Sequence, residues 1–144
     1  MRAAISKSFL ASIGLTALFA TVALPSAAAD LPAAHHVGRS TYVTGGIGLD
    51  ESTAFKSAMK DWPMTLMFVQ KDGDRAEYVA DVKVKVIEHS GAMAFTTDSQ
   101  GPFMLANLQP GAYKVEATFD NKTLQQNVEV KQGKPVKLTF LWTP

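Results

Sequence analysis

The 144-residue chain contains no cysteine. It therefore has neither disulfide bonds nor thiol chemistry, and a packed apolar core must stabilise its fold. It also lacks an excess of charge of either sign, with 14 basic and 13 acidic residues. A nearly neutral chain has no electrostatic basis for binding nucleic acid or an anionic membrane. These absences exclude a disulfide scaffold and a strongly basic nucleic-acid-binding domain.

Long apolar runs are confined to the N-terminal segment. Arg2 and Lys7 precede an apolar run over residues 9–24, and the small residues Ala27-Ala28-Ala29 follow it. This order is typical of a secretory signal peptide over residues 1–29, with cleavage after Ala29. An uncleaved anchor is the alternative. After cleavage we expect a periplasmic or secreted protein with no segment inserted in the membrane.

The predicted mature chain, residues 30–144, is close to neutral and of single-domain size. Arg2 and Lys7 account for two of the 14 basic residues, which leaves 12 basic residues against 13 acidic ones. Residues 30–44 are polar and have no sustained periodicity. We expect them to form a flexible lead-in, in which Tyr42 and Val43 touch the folded body.

Residues 45–63 have the pattern of one short helix that elaborates the N-terminus of the domain. Asp50 is predicted to be the N-cap, and acidic residues fill the first turn. Pro63 ends the helix. Four apolar residues at i, i+3, i+4 and i+7 form one stripe, which is predicted to lie on the body of the domain: Phe55, Ala58, Met59 and Trp62.

Residues 64–144 have the rhythm of a β-sandwich. The clearest strand covers 112–119, in which every second residue from Tyr113 to Phe119 is apolar and the residues between them are polar or charged. Pro110-Gly111 supplies the turn before this strand. The pattern predicts seven strands in all: 64–70, 78–88, 92–97, 103–105, 112–119, 123–130 and 136–142.

One stretch also carries a family pattern. Residues 98–115, DSQGPFMLANLQPGAYKV, resemble the D-x-x-G-x-F-x-L-x-x-L-x-P-G-x-Y-x-V run of the carboxypeptidase regulatory-like domain. The matching residues are Asp98, Gly101, Phe103, Leu105, Leu108, Pro110, Gly111, Tyr113 and Val115. The resemblance implies an all-β, seven-stranded Greek-key sandwich of the transthyretin-like type. It also implies a non-catalytic accessory domain that binds or supports a partner.

The expected partner is a protein or glycan of the cell envelope. Outward-facing aromatic rings are the side chains on which sugars stack, and Trp62, Tyr78 and Tyr42 are the candidates for such a surface. The chain has no cysteine nucleophile and no G-x-S-x-G motif, so we expect no enzymatic activity and no cofactor.

The alternative function is periplasmic metal handling. His35, His36 and His89 are the three histidines, and imidazole is a good ligand for Cu(II). Adjacent residues in an extended segment point in opposite directions, which disfavours a site built from His35 and His36. The chain is also rich in methionine, but most of these residues lie in apolar patterns typical of core positions.

Overall fold

The computed structural model describes residues 30–144, and the predicted signal peptide lies outside them. These residues form ten β-strands, one α-helix and one 3₁₀ helix. The helices are α1 (Leu49–Ala58) and the 3₁₀ helix Met59–Asp61. In this part of the chain, neither is long and apolar enough to cross a membrane. The strands are β1 (His35–Val37), β2 (Ser40–Gly45), β3 (Met64–Asp72), β4 (Arg75–Tyr78), β5 (Lys83–Glu88), β6 (Met93–Asp98), β7 (Phe103–Asn107), β8 (Gly111–Phe119), β9 (Lys122–Val130) and β10 (Val136–Trp142).

The strands form two sheets. The six-stranded sheet has the order β1-β2-β7-β3-β10, and β4 pairs with β3 beyond the end of β7. Its pairs are antiparallel except for β3 and β10, which run parallel. The four-stranded sheet has the order β6-β5-β8-β9 and is antiparallel throughout. The described chain is therefore all-β with one short helix, as the sequence predicts.

The main core lies between the two sheets. Val84 and Val115 are fully buried, whereas Lys83 and Lys85 are exposed, so the predicted inward and outward faces of these strands are confirmed. Phe119 is only partly buried, at the rim of the core. Because successive side chains of a strand alternate between faces, this arrangement places the outward residues of β5 and β8 on a polar outer surface.

The helix covers part of the outer face of the six-stranded sheet. Phe55 is fully buried, and its ring stacks 5.9 Å from the ring of Phe103 in β7. Met59 and Trp62 also pack into this second cluster, which confirms the predicted apolar stripe. Strand β3 is apolar on both faces because one face meets the core and the other, at Met67, meets the helix cluster.

The start of the helix differs from the prediction. Asp50 is not the N-cap, because α1 begins at Leu49 and Gly48 occupies the cap position without a side-chain hydrogen bond. The carboxylate of Glu51 instead accepts a hydrogen bond from the backbone N–H of Gly46 at 2.7 Å. This contact fixes the turn between β2 and the helix.

Although residues 30–34 precede the first strand, most of residues 30–44 form regular structure rather than the predicted lead-in. They contain β1 and most of β2, and β2 pairs with β7 along nearly its whole length. Tyr42 and Val43 are buried, so both contacts expected from this segment are present. The sequence of this segment shows no strong hydrophobic periodicity for two reasons. Strand β1 is short and exposed, and β2 is covered on both faces.

The predicted count of seven strands is wrong, since the described residues contain ten. Strands β1, β2 and β4 are additional. The predicted single strand over 78–88 is divided between the two sheets: β4 ends at Tyr78 and β5 begins at Lys83. Between them, Asp81 adopts a positive φ of 57°, which lets the chain cross from one sheet to the other.

Candidate functional site

A groove of about 570 Å³ lies at one end of the four-stranded sheet. It forms where β5 and β9 end and β8 begins, beside the turn that joins β5 to β6. Its volume is in the range of small-ligand sites. The lining residues, called the groove below, are Ile87, Glu88, His89, Gly91, Ala112, Tyr113, Lys114, Asn127, Val128 and Glu129.

Strand register brings part of this lining together. Ile87 pairs with Lys114 across β5 and β8, and Lys114 pairs with Asn127 across β8 and β9. Directly paired residues share a face, so these three form one row on the outer surface of the sheet. In that row, the cationic side chain of Lys114 lies between the apolar side chain of Ile87 and the amide of Asn127.

The groove combines hydrogen-bond donors with acceptors. Lys114 donates through its ammonium group, Asn127 donates and accepts through its amide, and the carboxylates of Glu88 and Glu129 accept. The Nζ of Lys114 is 3.5 Å from the Oε1 of Glu116, and the lysine side chain is 44% exposed. An exposed pair of this kind is weak, so the ammonium group can also reach a ligand.

Tyr113 is held rigidly in one wall of the groove. Its hydroxyl donates a hydrogen bond of 2.6 Å to the carbonyl oxygen of Gln109. Burial raises the pKa of Tyr113 above its ordinary value, and the nearby carboxylate of Glu88 raises it further. The phenol is therefore neutral at physiological pH and acts as a fixed wall of the groove.

The β5–β6 turn forms the other wall. The backbone N–H of His89 donates to the carbonyl oxygen of Ala112 at 3.0 Å, and that of Gly91 donates to the carbonyl oxygen of Glu88 at 2.8 Å. The hydroxyl of Ser90 lies 3.4 Å from Oε2 of Glu88. The bond from His89 ties the turn to the start of β8, and the other two bonds lie within the turn.

The structure does not unite the predicted metal ligands in one group. The ring of His35 stacks on Tyr42 with centroids 5.0 Å apart, and Nδ1 of His36 lies 3.0 Å from the hydroxyl of Thr41. His89 lines the groove instead. Over residues 30–144, no three histidine, cysteine or acidic side chains are clustered for a metal ion.

The three predicted surface aromatics also lie in different environments. Tyr42 is buried, with its ring stacked 4.6 Å from that of Phe95, so its assignment to the surface is wrong. Trp62 is half-buried in the helix cluster. Tyr78 is 52% exposed and remains a candidate for contact with a partner.

Sequence patterns indicate only part of the groove. Strict alternation in β8 places Lys114 outward, and His89 is recognisable as a turn residue. Asn127 and Glu129 carry no comparable signal, because polar residues on the outer face of a strand are ordinary. Only the pairing of β9 with β8 brings them beside Lys114.

No protein-family model matches this chain, and neither does any curated protein.

Proposed function

We propose that the protein is an exported, non-catalytic accessory domain of the cell envelope that binds a carbohydrate in the groove. We further propose that it belongs among transthyretin-like sandwiches of the carboxypeptidase regulatory-like type. The run over residues 98–115 supports this assignment, because Gly101, Pro102 and Pro110 lie in the connections between strands and the apolar residues of the run are buried: Phe103, Leu105, Tyr113 and Val115. The Greek-key description belongs to the same proposal.

The observation that carries the binding proposal is the row of Lys114 and Asn127, with Glu129 on the same outer face of the sheet. Sugar hydroxyls donate and accept hydrogen bonds at the same time, so amide, ammonium and carboxylate groups in one concave site suit them. The apolar side chain of Ile87, in the same outer row, offers contact to the C–H face of a sugar ring. This arrangement replaces the aromatic platform expected from Trp62, Tyr78 and Tyr42.

Glycan titration followed by NMR tests the proposal. We expect ¹⁵N-labelled protein of residues 30–144 to show shifts at groove residues with at least one of chitotetraose, cellotetraose and maltotetraose. The double variant Lys114→Ala/Asn127→Ala loses several hydrogen bonds, each contributing about 0.5–1.5 kcal/mol, so binding should weaken by about tenfold or more.

The matched control is Lys85→Ala/Gln125→Ala, which changes the same residue classes on the same outer face but outside the groove. The affinity of this control variant for the sugar should stay within about twofold of that of the unchanged protein. Equal losses in both double variants, or no groove shifts with any of the three sugars at millimolar concentration, would contradict carbohydrate binding in the groove.

A separate experiment tests whether the protein is exported and where its signal peptide is cleaved. The basic start and the Ala27-Ala28-Ala29 segment support cleavage after Ala29 and release into the periplasm or medium. Intact-mass measurement on the exported protein should give a chain that begins at Asp30. A product that retains the apolar run over residues 9–24 would show an anchored protein instead.

A further inference from the structure

The helix leaves part of the six-stranded sheet uncovered. Its cluster packs over β2, β7 and the first half of β3. Beyond it, Leu141 of β10 pairs with Val69 of β3, and Val69 pairs with Tyr78 of β4. These three residues, called the apolar row, share one face of the sheet because they are directly paired. That face is the outer one, since the neighbouring Phe68 is fully buried in the core.

The apolar row is open to solvent. Leu141 is 46% exposed and Tyr78 is 52% exposed, while Val69 is half-buried between them. The ring of Tyr78 lies 5.3 Å from that of Phe103, which itself stacks on the helix residue Phe55. The row is therefore continuous with the cluster under the helix. It extends the same apolar surface past the point where the helix stops covering it.

Three lysines lie on the outer face of the sheet or on the helix beside it. The Nζ of Lys56, on the helix, lies 6.0 Å from the centroid of the Tyr78 ring. Lys71 of β3 and Lys137 of β10 are exposed. They lie on the same outer face as Val69 and Leu141, because every second residue of a strand points to the same side. The outward positions of β3, β4 and β10 carry no acidic residue. Among residues 30–144, none of these three lysines forms an ion pair with an acid.

The open area has the width of one helix. Neighbouring strands lie about 4.8 Å apart, so the row across β4, β3 and β10 spans about 10 Å. An α-helix with its side chains is about 10–12 Å across. A second helix can therefore lie on the sheet beside α1, with an apolar stripe on the row and its flanks toward the lysines.

We propose that this face binds an amphipathic helix of a partner protein whose apolar stripe is flanked by acidic residues. The stripe would cover Leu141, Val69 and Tyr78, as the stripe of α1 covers the adjoining strands. Its acids would pair with Lys56, Lys71 and Lys137. The groove lies on the other sheet, so the domain can hold a glycan and a protein at the same time.

Two synthetic 18-residue peptides test the proposal. Both carry leucine at i, i+3, i+4 and i+7; one has glutamate at the flanking positions and the other has lysine. With ¹⁵N-labelled protein of residues 30–144, which contains the whole described fold, the glutamate peptide should shift the signals of Tyr78, Val69 and Leu141. Binding should weaken as salt increases, because exposed charges are screened.

Variants in which lysines are replaced by glutamate test whether charge pairing contributes to peptide binding. Lys71→Glu/Lys137→Glu should weaken binding of the glutamate peptide by about tenfold or more and strengthen binding of the lysine peptide. The matched control Lys83→Glu/Lys85→Glu makes the same charge change on the outer face of the other sheet and should alter affinity by less than about twofold. All four positions are exposed, so thermal melts should show each variant folded.

Three results would overturn the proposal. The first is equal affinity for both peptides, and the second is the absence of shifts at the apolar row up to millimolar peptide. The third is a dimer in sedimentation equilibrium that Leu141→Glu dissociates, since a second copy of the chain would then cover this face. Carbohydrate binding in the groove is measured separately and is unaffected by any of these outcomes.

Discussion

Gly101 packs directly against the backbone of Gly45. A Cβ on Gly101 would overlap the carbonyl group of Gly45 and approach its Cα to 2.9 Å. Beside this contact, the hydroxyl of Thr44 accepts a hydrogen bond from the N–H of Gln100 at 3.0 Å and donates to the carbonyl oxygen of Phe103 at 3.2 Å. The end of β2 is thus held to the β6–β7 loop by contact and by hydrogen bonds.

Gly101→Ala should therefore destabilise the protein. The added methyl group meets backbone, which cannot move aside as a flexible side chain can, so we expect a loss of about 1–3 kcal/mol in unfolding free energy. The control is Gly133→Asn, at a φ of 74° where an added Cβ would meet open space, because asparagine tolerates this conformation. Urea denaturation of both variants measures the difference, and equal stability would contradict the close contact.

Phe119 packs against the edge of the core at the end of β8, away from the groove, which lies where β8 begins. Its ring lies 5.6 Å from that of Trp142, whose indole N–H donates to the carbonyl oxygen of Lys122 at 2.9 Å. Phe119 is only partly buried, so Phe119→Ala should cost about 2–3 kcal/mol, less than the roughly 3–5 kcal/mol typical of a fully buried phenylalanine.

Glu116→Ala, on the outer face of the same strand, is the control for Phe119→Ala. It removes the hydrogen bond from Gln125 and the ion pair with Lys114, both near the surface, so it should cost less than about 1 kcal/mol. Equal losses from the two substitutions in denaturant melts would show that the faces of β8 are assigned wrongly.

The raised pKa of Tyr113 predicts a loss of stability at high pH. Above about pH 10 the tyrosine of the unfolded chain loses its proton, while the folded protein retains it until its higher pKa is reached. The unfolded state then binds fewer protons, so the unfolding free energy falls as pH rises through this window. The contribution of Tyr113 is fully present below about pH 10.

Tyr113→Phe isolates that contribution. It should remove part of the decrease in stability between about pH 9 and pH 11. At pH 7 it should cost about 0.5–1.5 kcal/mol through the lost bond to Gln109. Thermal or urea melts of both proteins across this range provide the measurement. Parallel pH profiles would show that Tyr113 does not contribute to the alkaline decrease.

The histidines should bind copper only weakly. His35 is stacked on Tyr42 and His36 is bonded to Thr41, so neither ring is arranged toward a shared ion. We expect a modest excess of Cu(II) to stabilise the protein by less than about 1 kcal/mol in thermal melts. Calorimetric titration that gave sub-micromolar, one-to-one binding, abolished by His35→Ala/His36→Ala, would establish metal handling instead.

Local periodicity in the sequence was sufficient to predict the all-β class, the helix stripe and the inward faces of β5 and β8. Val84 and Lys85 alternate because successive side chains of a strand point to opposite faces, and Phe55 and Met59 share a face because a helix turns every 3.6 residues. These regularities depend on neighbours within a few positions along the chain. They can therefore be recognised without knowledge of the fold.

Long-range pairing decided the rest. The pairing of β2 with β7 brings residues 40–44 of the predicted lead-in into a sheet and buries Tyr42, and the crossing at Asp81 divides one predicted strand between two sheets. The groove depends on the register that places Asn127 beside Lys114. Each outcome arises from contacts between residues apart in sequence, so only the tertiary structure could determine it. Gly101 shows both levels: the glycine is visible in the sequence, but only the fold shows that it packs against the backbone of Gly45.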